Sequence, residues 1–211
     1  MPEGPAVDSR SRILGVAEAL FASRGFAGVG MRQVALGVGL SKSSLFHHFS
    51  TKQALYREIL ARALERLDLA LAPALQSGAA PSERLAAWAD ALGEALAGDP
   101  TTSSLCLRSL FGELAGPGAD DRSGPEAEAP LARLVEDFEG LIAQGIAAGE
   151  FREVSPCHLA PTLIGAALCH FAFGKVAPEH PGPGTSLLAG ADVHEGTREL
   201  RELLQNALRR T

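Results

Sequence analysis

The stretch "RQVALGVGLSKSSLFHHFSTKQAL", Arg32 to Leu55, reads as two short helices with a glycine turn between them and the start of a longer one. Val34, Ala35 and Val38 recur at helical spacing, which predicts a short helix from about Met31 to Gly37 with Gly30 at its cap. Gly37 and Gly39 bracket a tight turn before Leu40. Ser41 is then a natural N-cap for a helix running through Phe49, with Leu45, His48 and Phe49 near one face. Ser50 followed by Gln53 matches a capping box that opens a long helix from Thr51 to about Leu71.

Upstream, "SRILGVAEALFASRGF" places Ile13, Val16, Ala17, Leu20 and Phe21 on one helical face. Ser9 or Ser11 can cap its start and Gly25 can stop it, after which Phe26 folds back onto that face. Two short helices joined by a glycine turn and braced by a third form a helix-turn-helix unit.

Downstream of Pro73 the pattern is helical throughout, with helices predicted at about 82–97, 101–115, 130–148, 156–177 and 193–210. The Gly-, Pro- and acid-rich segments 115–130 and 177–192 read as loops. In the last helix Leu200, Leu203, Leu204, Ala207 and Leu208 form one stripe, whereas "LAPTLIGAALCHFAFGKV" is apolar nearly all round. Such a helix needs cover on more than one side, and a second copy of the chain supplies it through the last two helices, 156–177 and 193–210. The expected fold is therefore all-α, with about nine helices: a head at 1–52 (helices about 9–24, 31–37 and 41–49) and a larger domain at 53–211.

Composition sets the class. Apolar residues make up 46% of the 211 and charged residues 21%, as in ordinary globular chains. No window approaches 18 uninterrupted apolar residues, and "MPEGPAVDSRSR" carries no apolar signal core, so no membrane association is expected. Cys106, Cys157 and Cys169 show no CxxC spacing and read as reduced thiols of a cytoplasmic protein. The net charge of −6 is unevenly spread: residues 1–52 carry +3 and the remainder −9. A basic head on an acidic body points the head alone at a polyanion.

The run "RILGVAEALFASRGFAGVGMRQVALGVGLSKSSLFHHFSTKQALYREIL" resembles the DNA-binding head of the TetR family of one-component transcription regulators. The hallmarks stand in order: "A..LF...GF", then "RQVA..VGLSKSSLFHHF", then "TKQAL". "GIAAGEFR" (145–152) also looks like a helix-ending phrase common in such proteins. The resemblance covers about fifty of the 211 residues; the rest matches in architecture only. It implies a dimer whose two heads enter successive major grooves, and a larger domain whose small-molecule effector alters their spacing. The family's DNA-contacting positions fall on Arg32, Lys42, Ser43, Ser44, Phe46, His47 and Lys52. Two positions depart from the pattern: Phe46 stands where tyrosine is usual, and Gly30 and Met31 where a threonine is common.

The chemistry of these residues agrees. Short polar side chains at Lys42, Ser43 and Ser44 let a helix approach base edges and phosphates. His47 is expected to face outward and His48 inward. Lys52 lies in the first turn of a helix, where its charge opposes the dipole, and a bound DNA phosphate would relieve that conflict. In the larger domain Trp88, Leu92, Leu107, Phe111, Phe138 and Phe171 are candidate lining for a largely apolar effector, with Arg108 and His170 as polar anchors, or His170 as an anchor at the dimer interface. Cys157-His158 and Cys169-His170 do not suit one metal site, because His158 and Cys169 lie ~16 Å apart along a helix. No catalytic motif is present, and no cofactor or metal is expected. The expected function is a repressor released from a palindromic operator by an effector. The alternative is a helical small-molecule-binding protein whose head no longer binds DNA.

Overall fold

The computed structural model describes residues 9–110, 125–174 and 193–209. Among these residues the chain forms nine α-helices: α1 (Ser9–Arg24), α2 (Met31–Val38), α3 (Lys42–His48), α4 (Lys52–Gln76), α5 (Pro81–Gly98), α6 (Pro100–Leu110), α7 (Pro125–Ala147), α8 (Pro156–Gly174) and α9 (Val193–Leu208). They contain no strand; a single isolated bridge pairs Phe151 with Arg209.

The head is built by local signals. Ile13, Ala17 and Phe21 are fully buried on α1, and Val16 and Leu20 pack partly buried beside them. Phe26 folds back as expected, its ring 6.1 Å from Phe21 and 5.3 Å from Tyr56. Helix α2 ends at Gly39, whose φ of 76° is left-handed and favours glycine. Its amide donates to Leu36 at 3.1 Å, and Leu40 donates to Ala35 at 2.9 Å, which closes the turn into α3. Ser41 caps α3 by accepting from the Ser44 amide at 3.1 Å.

Both ends of α4 differ from expectation. The cap of α4 is Thr51 rather than Ser50: its backbone is extended and its hydroxyl accepts from the Ala54 amide at 3.0 Å. Helix α4 also continues past Leu71 to Gln76, through Pro73. Pro73 has no N–H to give the Leu69 carbonyl, and both residues lie on the exposed side of the helix. Arg84 then donates to the Leu75 carbonyl at 2.5 Å and to Ala74 at 3.4 Å, satisfying the open end of the helix.

Residues 125–130, expected as loop, are the first turns of α7. Pro125 stands at the first helical position, where a missing amide costs nothing and a fixed φ helps. The rest of both expected loops, residues 115–124 and 177–192, lies outside the described residues, as do residues 111–115 of the expected 101–115 helix.

In the larger domain α5 packs on α4 and α9, α7 on α4, α5 and α8, and α6 bridges α8 and α1. The phrase "GIAAGEFR" does end a helix. The Gly145 carbonyl accepts from Glu150 at 2.9 Å and from Phe151 at 3.1 Å, folding Phe151 back over Gly145. A Cβ on Gly145 would lie 2.1 Å from the Phe151 ring, so the approach needs glycine. Arg152 then donates from its amide to Leu208 at 3.0 Å and from Nε to Ala207 at 2.6 Å, pinning the end of α9.

Candidate nucleic-acid interface

Helix α3 has a buried back and a polar front. Leu45 and the following Phe49 are buried, and His48 is half-buried beside them, as its spacing predicted. Lys42, Ser43, Phe46 and His47 are exposed and share an arc of about 140° at 100° per residue. Lys42 Nζ lies 5.6 Å from the Phe46 ring centroid. Arg32 is exposed on α2 beside this front. Ser44 sits off the arc, half-buried, with its hydroxyl 2.8 Å from Ser41 Oγ. Its main observed role is in the cap.

Lys52 is placed differently from expectation. Its ammonium turns back into the head and donates to the carbonyls of Phe26 at 2.7 Å and Val29 at 2.9 Å. It also lies 4.2 Å from the Phe26 ring centroid. The two carbonyls thus relieve the conflict with the α4 dipole that a phosphate was expected to relieve. Burial draws this ammonium below its ordinary pKa. The same side chain locks the loop between α1 and α2 onto α4.

The head is tied to the body by residues that sequence reading missed. Arg66 on α4 pairs with Glu18 of α1, with Asp99 at 3.0 Å and with the Thr102 hydroxyl at 2.9 Å. Asp99 also accepts from Thr102 Oγ1 at 2.7 Å and from the amides of Thr101 and Thr102, so it caps α6. Burial alone would raise the Asp99 carboxyl, but hydrogen bonds from Thr102 and the Arg66 charge hold it below its ordinary value. The partners of Arg66 lie 48, 33 and 36 residues away, so no local pattern announces them. A second brace runs from Arg12 to the Val38 carbonyl at 3.1 Å, tying α1 to the end of α2.

Residues 13–59, the segment that builds this interface, match the family model described as bacterial regulatory proteins, tetR family. RutR, an HTH-type transcriptional regulator of Escherichia coli K12, is 30% identical over 171 residues, 79% of this chain and 76% of RutR. The chain belongs to the TetR family. KstR2, an HTH-type transcriptional repressor of Mycobacterium tuberculosis, is 35% identical over 82 residues; that match spans 39% of this chain and 41% of KstR2. The solved structure of that ketosteroid transcriptional regulator shares 99% of this chain and 98% of its own at a TM-score of 0.72 and 21% identity. AibR, solved with isovaleryl coenzyme A and operator DNA, overlaps 93% of this chain and 97% of its own at a TM-score of 0.72 and 19% identity. Both likenesses span head and larger domain and show the fold.

The effector candidates of this TetR-family chain divide into two groups. Trp88 of α5 and Phe138 of α7 stack inside the larger domain with ring centroids 4.3 Å apart, and Leu92 and Leu107 are buried in the same core. The Trp88 indole N–H is buried and has no hydrogen-bond partner among the described residues. His170 and Phe171 instead line a groove of about 390 Å³ between α8 and α9, with Ala166, Cys169, Gly196 and Leu203. Arg108 is half-buried on α6, and Phe111 lies outside the described residues. In the last helix Leu200, Leu204 and Leu208 are buried, but Leu203 is 62% exposed beside that groove. Among the described residues, no helix is long and apolar enough to cross a membrane and no three His, Cys, Asp or Glu side chains gather as a metal site would need.

Proposed function

We propose that this TetR-family chain is a sequence-specific DNA-binding transcription regulator, a cytoplasmic homodimeric repressor released from a palindromic operator by a small-molecule effector. The observation that carries the reading is the front of α3: Lys42, Ser43, Phe46 and His47 stand outward on a helix whose other side is locked into the head. A helix so presented fits the major groove, its polar groups meeting phosphates and base edges. Arg32 joins from α2, Ser44 through its cap hydroxyl, and Lys52 through the one N–H not given to a carbonyl.

Dimerisation falls to α8 and α9, where the apolar groove and the exposed Leu203 await cover. Two-fold symmetry then requires an operator with two related half-sites. The effector lodges in the larger domain against Trp88 and Phe138, and its hydrogen-bond acceptor meets the Trp88 indole N–H. An apolar body with a carbonyl fits that demand, and the isovaleryl coenzyme A held by AibR has one. Effector and operator favour different head separations, so each weakens the other's binding by the same free energy.

Selection from a random duplex library followed by a gel shift tests the DNA reading. A bound palindromic duplex is expected, with affinity falling steeply as salt rises. No bound duplex at low salt would overturn it. The effector reading is tested by the fluorescence of Trp88, the one tryptophan of the chain. Ligands that shift its emission should release the duplex; ligands that release the duplex without touching that emission would place the effector elsewhere.

A further inference from the structure

We propose that Phe46 reads the C5-methyl group of a thymine in each half-site; the inference rests on the DNA reading above. Phe46 is 38% exposed and does not belong to the core or to the partly buried side chains packed against it. It stands within the outward arc of α3, between Lys42 on one side and Ser43 and His47 on the other. Every other member of that arc can hydrogen-bond; this ring cannot. Its contribution at a DNA surface is therefore apolar contact.

The floor of the major groove offers few apolar targets. Its donors and acceptors belong to all four bases, and the thymine methyl is the one apolar group in the pattern. Phe46 stands one turn after Lys42 on seven-residue α3, on the same face as the N-terminal residues through which a docked helix meets base edges. Lys42, one turn earlier, holds its ammonium near the same ring. The pair can thus read two neighbouring features: the methyl by Phe46, and an adjacent guanine edge or phosphate by Lys42. Absence of a hydroxyl at this position then becomes a change of target, from backbone to base.

The test starts from the selected duplex. Each thymine is replaced in turn by deoxyuridine, which preserves every hydrogen-bonding group and removes only the methyl. At one position per half-site the wild-type protein should lose about fourfold in affinity, and about fifteenfold when both half-sites are changed. Phe46→Ala should bind the thymine duplex more weakly and show no further loss on the uracil duplex. Because the ring lies outside the core, the thermal unfolding midpoint of the variant should match the wild type. Binding that ignores every uracil would overturn the inference while leaving the DNA reading intact. A uracil penalty that persists in Phe46→Ala would assign the methyl to another residue and overturn it too. Failure to bind any duplex would overturn both.

Discussion

The head and the last two helices solve the burial problem in opposite ways. In the head the inward apolar faces close within one protomer: Leu45, Phe49, Val34 and Phe21 are all buried, while Leu36 and Phe46 stand exposed. In α8 and α9 an apolar surface stays open, with Leu203 exposed beside a groove lined by Ala166, Cys169 and Phe171. A closed face leaves a mainly polar front, with Phe46 set into it, available for partners. An open apolar face is itself the invitation, and it calls for a flat, self-complementary surface rather than a charged polymer.

The largest expected effect tests the closed side. Leu45→Ala removes a fully buried side chain from the head and should cost about 2–5 kcal/mol in denaturant unfolding, with loss of duplex binding. On the open side, Leu203→Glu should leave protomer helicity unchanged but weaken the dimer roughly a hundredfold by sedimentation, since burying an unpaired carboxylate costs about 3 kcal/mol. Equal protomer destabilisation by both substitutions would erase the contrast.

Smaller effects sharpen it. Lys52→Met leaves the Phe26 and Val29 carbonyls without their donor and should cost about 1 kcal/mol in unfolding. If Lys52 acts only as this brace, the slope of binding against salt stays as in the wild type; a slope reduced by about two, one for each head of the dimer, would assign it a phosphate as well. Breaking the Arg66 pairs costs less still, because they are half-exposed: Arg66→Met should cost under about 1 kcal/mol. Asp99 adds a pH signature. Its folded carboxyl lies below its ordinary value, so its stabilisation is full above that ordinary value and is lost as pH falls through the depressed one. Acid titration of Asp99→Asn should lack that component. The smallest readout is chemical: burial pushes the Cys106 thiol up to about 12, so it should resist alkylation while exposed Cys157 reacts.

The head was almost fully legible because its instructions are short-range. Ser41 and Gly39 each act within five residues, and the inward faces of α1 to α3 follow from spacing alone. Legibility fell where tertiary geometry decides. For Lys52 the sequence shows a cation at a helix start, and so a phosphate ligand, but not the two carbonyls that the same side chain braces. Periodicity cannot say which neighbour a helix face meets: Phe171 is buried in the core that holds Trp88 and also, with His170, lines the α8–α9 groove. Thr51 displaced Ser50 as the cap because both are hydroxyl residues and only the backbone angle separates them.

Arg66 sets a clock for the molecule. Its guanidinium is shared among the first helix, the α4 helix that carries it, and the cap of α6. Water can replace Glu18 and Asp99 as they leave, because these side chains are partly open to solvent, whereas Thr102 is buried. Motions of exposed side chains and loops run from picoseconds to microseconds, faster than the repacking of a core. The joint between head and body is thus a quick-release coupling, and the pace of any response is left to the helices it connects.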